Sequence, residues 1–359
     1  MTENKLKLVL PEKQNGDIQI RPKYLKDFIG QKEVVQNLEI YLKAASLRNE
    51  SLDHILFSGP PGLGKTTLAR ILANSQNGMF HQISAPNIKR PGDIAKILTT
   101  LQKYDILFID EIHRLPAPVE EILYPAMEDG HIDITISEGM AASSITLDLP
   151  PFTLVGATTK PGAITAPLRD RFGIHLRLDY YEITDIEKII KRSAKLWNIM
   201  INSKAIEKIA KRSRQTPRVA LRLLRRVWDH AIVHNHMLSD KKEKLLEIDE
   251  ENTIKSFEKM GIDNLGLTSL DISFLNIIAK NYKGGPVGLK PIASVLSEDL
   301  ITLEDFIEPF LLKKGLLQKT ARGRILTKEG FHHIGITNTS LFSHQNIQKE
   351  LFSKDNSEN

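Results

Sequence analysis

Between residues 59 and 66 the chain reads Gly59-Pro60-Pro61-Gly62-Leu63-Gly64-Lys65-Thr66, which fits the phosphate-loop pattern G-x-x-x-x-G-K-[ST] in full. Glycines let successive backbone N–H groups curl around a phosphate, and the helix that follows turns its positive end toward the same charge. In this pattern Lys65 reaches the β and γ phosphates and the Thr66 hydroxyl sits on Mg²⁺. The flanks are the ones the motif needs. Ahead of it His54-Ile55-Leu56-Phe57-Ser58 reads as a short apolar strand, and behind it Thr67–Ala73 has helical spacing. A chance glycine-rich turn would lack both, so the residues imply a nucleoside triphosphate site.

The groups that would hydrolyse the nucleotide lie further on. Ile106-Leu107-Phe108-Ile109-Asp110-Glu111 is an apolar strand ending in two carboxylates. Asp110 is suited to hold Mg²⁺ together with Thr66, and Glu111 to orient and polarise the attacking water. Alone such a pair is a solvated turn; behind a complete phosphate loop it becomes the hydrolytic half of a site. Val155-Gly156-Ala157-Thr158-Thr159 is a second strand ending in hydroxyls, which would sense the γ phosphate or the water, although threonine is also a common strand residue. Leu168-Arg169-Asp170-Arg171-Phe172 then offers two arginines. An arginine directed into a neighbouring subunit's site accelerates transfer by about 10³–10⁵, or roughly 4–7 kcal/mol. Two solvated loop arginines are the bland alternative. Arg218, which opens a basic helix, would be a further cation for the γ phosphate.

These groups need a scaffold. From Arg21 to Tyr181 short apolar strands (Ile55–Phe57, Phe80–Ile83, Ile106–Ile109, Phe152–Ala157) alternate with helical stretches, the signature of a parallel α/β sheet. After Glu182 strands give way to helices. In Val219–Ile232 apolar pairs recur every four residues with Arg218, Arg222, Arg225 and Arg226 on the other side, after the start signal Thr216-Pro217. A third unit follows. Its helical stretches Asp271–Lys280, Leu289–Leu296 and Leu303–Lys313, with a hairpin through Leu316–Gln318 and Arg324–Thr327, suggest a winged helix. The expected organisation is an arm over 1–20, an α/β unit over 21–181 with a hairpin insertion at 131–149, a helical unit over 182–252, a winged helix over 253–337 and a tail over 338–359. The 359 residues suffice for several cores. The absence of cysteine excludes disulfides and thiolate metal sites, and no run of 18 apolar residues or signal-peptide core is present, pointing to a cytoplasmic protein. A formal net charge of +5 permits a polyanionic partner without demanding one.

Taken in order, these motifs resemble the AAA+ ATPases. The match narrows to the RuvB family, bacterial motors of Holliday junction branch migration in recombination and repair. It rests on Arg21–Gln31, Phe108–Leu115, Pro167–Ile174, Thr216-Pro217-Arg218, Gly284–Leu289 and Ala321–Arg324, and it runs from about Ile20 to Ile336. The resemblance implies an α/β P-loop NTPase (AAA+) domain with a parallel sheet, a small all-α lid and a winged-helix C-terminal domain. It implies ATP and Mg²⁺ as cofactors. Nucleotide contacts would come from Gly59, Gly62, Gly64, Lys65, Thr66 and Thr67, from Ile20 and Arg21 over the base, from Glu128, Asp129 and Gly130, and from Tyr181 and Arg218. Arg171 would be the finger acting in trans. A homo-hexamer on duplex or Holliday junction DNA, working with RuvA and with RuvC as a further partner, is implied as well, and no membrane. The chain departs from the family pattern at Gly130, where an aromatic is usual, and at Gly139–Ser144, which lacks a proline and an arginine. Lys319 replaces an arginine.

The insertion alternates Ile132, Ile134, Ile136 and Ile145, Leu147, Leu149 with polar residues, so it reads as a β-hairpin with one apolar face and an apolar tip at Met140, Ala141 and Ala142. Such a tip suits protein docking unless it folds back on its own domain. The wing, Lys319-Thr320-Ala321-Arg322-Gly323-Arg324, carries three cations around a glycine that would let the backbone approach phosphates, with no aromatic or amide to read bases. DNA contact through Lys319, Arg322 and Arg324 is therefore expected to be sequence-independent. A clamp-loader subunit and a protein-remodelling ATPase remain alternatives; the first needs a helical collar, the second an aromatic pore loop.

Overall fold

A computed structural model describes residues 21–135, 144–238 and 247–336. The chain forms two compact units, one ending at Glu250 and the other beginning at Glu251. Ile20, the hairpin tip with Met140, Ala141 and Ala142, and the C-terminal tail lie outside the described residues.

In the first unit the apolar runs become β1 (Ile55–Ser58), β2 (Phe80–Ser84) and β3 (Ile106–Asp110). The insertion supplies an antiparallel pair, β4 (His131–Thr135) and β5 (Ser144–Asp148), and then come β6 (Thr153–Thr158) and β7 (Ile174–Arg177). Five of these form one parallel sheet in the order β2-β3-β6-β1-β7. Its central strands are continuous apolar runs because helices cover both faces; Ile55, Phe57 and Ile106–Ile109 are fully buried. The helix Lys65–Gln76 packs on β2 and β3, presenting Leu68, Ile71 and Leu72 to the core.

β7 is a strand that the expected set omits. Its Ile174/Leu176 alternation with His175 and Arg177 is the mark of a half-covered edge, and it is short. The lid is helical as expected, with Ile183–Leu196, Ser203–Arg212 and Pro217–Leu238, the last containing the expected stretch Val219–Ile232. Strands do not quite stop there, however, since β8 (Met200–Ile201) and β9 (Glu247–Ile248) pair in parallel. The hairpin's apolar face is covered at Ile132 of β4 and open along β5. Ile132 is fully buried, while Ile145 and Leu147, whose partners are Ile134 and Ile132, are 47% and 37% exposed.

The second unit has helices Ser269–Asn281 and Leu289–Leu296 and a third that starts at Leu300, passes through a π-turn at Leu303–Ile307 and continues over Glu308–Lys313. β10 (Leu317–Thr320) and β11 (Gly323–Leu326) form the wing, and Lys328–His333 closes the unit. Phe274, Ile278, Ile292, Leu311 and Phe331 fill the core. Val287 bridges antiparallel to Arg324, with Val287 N–H donating to the Arg324 carbonyl at 3.0 Å and the reverse bond at 2.8 Å.

That bridge corrects the expected role of Gly323. The residue is buried with φ +136°, and an added Cβ would fall 2.5 Å from the Val287 carbonyl oxygen. Close approach is indeed required, but the approaching group is the chain's own Val287 backbone. Gly323→Ala is expected to destabilise the winged unit by about 1–3 kcal/mol through strain and overpacking, seen as a lower thermal midpoint with the DNA-free ATPase rate retained.

Candidate active site

The strand order does most of the assembly. β6 lies between β1 and β3, so the loop after β1, the carboxylates after β3 and the threonines after β6 meet at one edge of the sheet. Gly59 leaves β1 at φ +134°, where a Cβ would sit 2.2 Å from the Leu178 carbonyl oxygen just after β7. Gly64, at φ +107°, starts the Lys65 helix against the Phe28 ring.

A cleft of about 520 Å³ opens over this edge. Arg21, Gly62, Gly64, Lys65, Thr66, Thr67, Asp110, Glu111, Tyr181 and Arg218, all singled out from sequence, line it together. Phe28, Ile29, Trp197, Arg192, Arg222 and Arg225 extend the wall toward the lid. Sequence reading assigned these no nucleotide role, although the basic flank of the lid helix Pro217–Leu238 was a visible signal. Arg225 lies 5.2 Å from the Trp197 ring centre, and the Arg218 N–H points at the Gly62 carbonyl, 3.4 Å away. Tyr181 is buried, donates its hydroxyl to the Leu63 carbonyl at 2.9 Å and has its pKa pushed up by burial.

The charges in this cleft are unsettled. The Lys65 ammonium donates to the carbonyls of Gly59 at 2.7 Å and Pro60 at 3.0 Å, and burial lowers its pKa against the pull of Glu111 and Asp110. Asp110 is pushed the other way: burial raises its pKa first and Glu111 adds to the effect, only partly offset by Lys65. Glu111 sits in the left-handed region at φ 52°, an unusual conformation for a residue with a side chain. Its Oε2 accepts from the Thr159 hydroxyl at 3.1 Å and the Thr159 N–H at 3.4 Å, and the Nδ1 of His113 lies 3.2 Å away. Thr158 is fully buried; its hydroxyl meets His113 Nδ1 at 2.9 Å and accepts from the Lys160 N–H at 3.0 Å. Thr159 thus touches the carboxylate directly, whereas Thr158 stands one layer behind it. Gly59 contributes its carbonyl to Lys65 and is not among the residues lining the cleft.

Four of the expected nucleotide contacts, Glu128, Asp129, Gly130 and Arg171, do not line the cleft of their own chain. Arg171 donates to the Pro167 carbonyl at 2.7 Å and to Glu128 at 3.0 Å, with its guanidinium 4.3 Å from the Tyr124 ring centre. In the second unit the three wing cations are not equivalent. Arg324 is bound by both oxygens of the buried Glu308, at 2.9 and 3.2 Å, and Lys319 lies 3.6 Å from the same carboxylate. Arg322 stands exposed at the turn.

A parallel phosphate-loop sheet with a helical lid over its cleft, accompanied by a winged helix, defines a AAA+ ATPase with a DNA-binding-type C-terminal domain. The family profiles described as RuvB P-loop domain, RuvB AAA lid domain and RuvB C-terminal winged helix domain match residues 20–178, 181–259 and 264–335. The chain belongs to the RuvB family. It is 49% identical over 340 residues to the Holliday junction branch migration complex subunit RuvB of Rickettsia africae (strain ESF-5), covering 94% of this chain and 97% of that protein. Among solved structures it is similar to Thermotoga maritima RuvB described as a Holliday junction branch migration motor, at 45% identity with a TM-score of 0.78, covering 88% of this chain and 98% of that one. A variant of the same Thermotoga protein gives a TM-score of 0.80 at 45% identity over 89% of this chain and 99% of that one. The expected fold class and family are borne out.

A carboxylic acid whose folded pKa is raised contributes stability at low pH and loses it as pH climbs through that pKa. Ionised Asp110 therefore destabilises the nucleotide-free chain at neutral pH. Asp110→Asn is expected to raise the thermal midpoint of the nucleotide-free protein at pH 7, with the gain vanishing below about pH 4 where the free carboxylate is itself protonated. ATP turnover should be lost in the same variant.

Proposed function

We propose that this chain, an ATP-dependent motor of Holliday junction branch migration, hydrolyses ATP at the contacts between copies in a homo-hexameric ring and thereby moves duplex DNA. One observation carries the reading. The cleft gathers the phosphate loop, Asp110, Glu111 and the lid cation Arg218, while Arg171 is held elsewhere by Glu128 and Pro167. A site whose transition-state cation stands outside it is complete only when a second copy supplies one. Glu128, Asp129 and Gly130 accompany Arg171 and would meet the neighbour's nucleotide from the same side.

Within the cleft, Lys65 would exchange its two loop carbonyls for β and γ phosphate oxygens, and the arginines of the lid would report phosphate occupancy to the lid helix. Thr66 and Asp110 would hold Mg²⁺. The donor set fits that ion, which takes one or two protein oxygens and leaves the rest of its shell to phosphates and water, and Asp110 has charge in need of compensation. The ion supplies electrostatic stabilisation of the transferring phosphoryl group. Glu111 orients the attacking water and accepts its proton, and Thr159 holds Glu111.

The winged unit takes the output. Arg322 and Lys319 would contact phosphates, and Arg324, fixed by Glu308, would stiffen the wing. With no aromatic or amide side chain at the turn, binding follows charge rather than sequence. The exposed Ile145 and Leu147 of the hairpin support docking of the junction-binding partner RuvA; RuvC would be reached through the assembled complex. Among the described residues no helix is long and apolar enough to cross a membrane, and work on DNA implies the cytoplasm.

The test of the motor is a four-way junction assay with ATP. Junctions should resolve into duplexes in the presence of the cognate RuvA and not without ATP; hydrolysis with no movement of junctions under either condition would overturn the reading. The shared site is tested by mixing. Arg171→Ala should lower kcat by about 10³-fold or more, as should Lys65→Ala, yet a mixture of the two should recover activity because some interfaces pair an intact loop with an intact finger. A mixture as inactive as its components would place Arg171 in its own chain's chemistry.

A further inference from the structure

The water-activating carboxylate is itself held by a group outside the phosphate-loop motifs. We propose that His113 is a positioning residue for hydrolysis, linking Glu111 to the threonines at the end of β6. The proposal rests on the reading of Glu111 as the group that orients water.

The geometry is compact. His113 follows the carboxylates on a single 3₁₀ turn, Ile112–Arg114, whose entry is the left-handed Glu111. That turn brings the imidazole back over the strand ends, so that Nδ1 lies 3.2 Å from Glu111 Oε2 and 2.9 Å from the Thr158 hydroxyl. The ring is 11% exposed and Thr158 is fully buried, so water does not substitute readily for either contact.

Hydrogen-bond chemistry fixes who donates. An ionised carboxylate only accepts, so a close Nδ1 must carry its hydrogen to be favourable beside Oε2. The Thr158 oxygen already accepts from the Lys160 N–H and can share the same Nδ1–H. Oε2 then gathers donors from the Thr159 hydroxyl, the Thr159 N–H and His113. One oxygen is tied down, and the other is left to face water. Thr159, bonded to Glu111, is the threonine that a γ phosphate would draw on. When the Thr159 hydroxyl turns to phosphate, His113 is the donor that keeps Glu111 in place. Without it the carboxylate would swing out of its strained left-handed seat and lose its aim.

The test uses the full-length protein with duplex DNA and ATP. His113→Ala should lower kcat about 10–100-fold, a part of the 10²–10⁴ that an oriented base contributes, while affinity for a non-hydrolysable ATP analogue changes less than about twofold. His113→Asn, whose amide N–H can donate from nearly the Nδ1 position, should restore most of the rate. In a Glu111→Gln background, removing His113 should cost nothing further, because it acts through Glu111. Wild-type kcat in His113→Ala beside an inactive Glu111→Gln would overturn the proposal while leaving the role of Glu111 standing. Loss of rate, nucleotide affinity and thermal midpoint together, with no rescue by asparagine, would also overturn it and mark His113 as merely structural. Turnover that survives in Glu111→Gln would instead overturn the reading of Glu111 on which the proposal rests.

Discussion

Everything in the first unit depends on the backbone pairing that inserts β6 between β1 and β3. Three sequence segments spread over 100 residues must present a lysine, two carboxylates and two hydroxyls to the same few ångströms. Parallel ladders with covered faces do this because a slipped strand would lose the close packing of its apolar side chains against the helices on either face. The chemistry at the strand ends is thus fixed by hydrophobic burial beneath it. Gly59 and Gly64 serve the same constraint, since each lets the loop pass where a side chain would collide with Leu178 or Phe28.

The price of that assembly is electrostatic. Lys65 and Asp110 are both pushed toward neutrality by burial, and Glu111 occupies a left-handed turn. A folded chain tolerates such groups when the surrounding packing over-determines them, and sites of this kind are where function stores strain. Bound nucleotide would bring negative charge to Lys65, so nucleotide binding and the stability of the cleft are coupled. The lid contributes through the Arg218 end of a helix whose other face, with Leu223, Leu224 and Val227, is locked into the core.

In the winged unit a buried carboxylate plays the organising part. Glu308 enters the core side of the third helix just after a π-turn and clamps Arg324 with both oxygens. A buried pair of this kind is strong evidence for geometry and weak evidence for stability. It fixes the base of the wing and leaves the turn, with Arg322, exposed. The Val287 bridge secures the same strand from the other side.

By itself the sequence determined the class of chemistry and the layered architecture. The phosphate loop, Asp110-Glu111 and the alternation of apolar runs are local patterns, written in consecutive residues, and local patterns survive without knowledge of the fold. The winged helix was legible for the same reason, from three amphipathic stretches and a hairpin. Tertiary structure alone decided which distant groups meet: Arg171 with Glu128, His113 with Thr158, Arg324 with Glu308, Gly323 against Val287. It also found β7, whose short edge pattern competes with an adjoining arginine motif. Such pairings depend on where the chain folds back in space, and no spacing along the chain encodes a distance through the core.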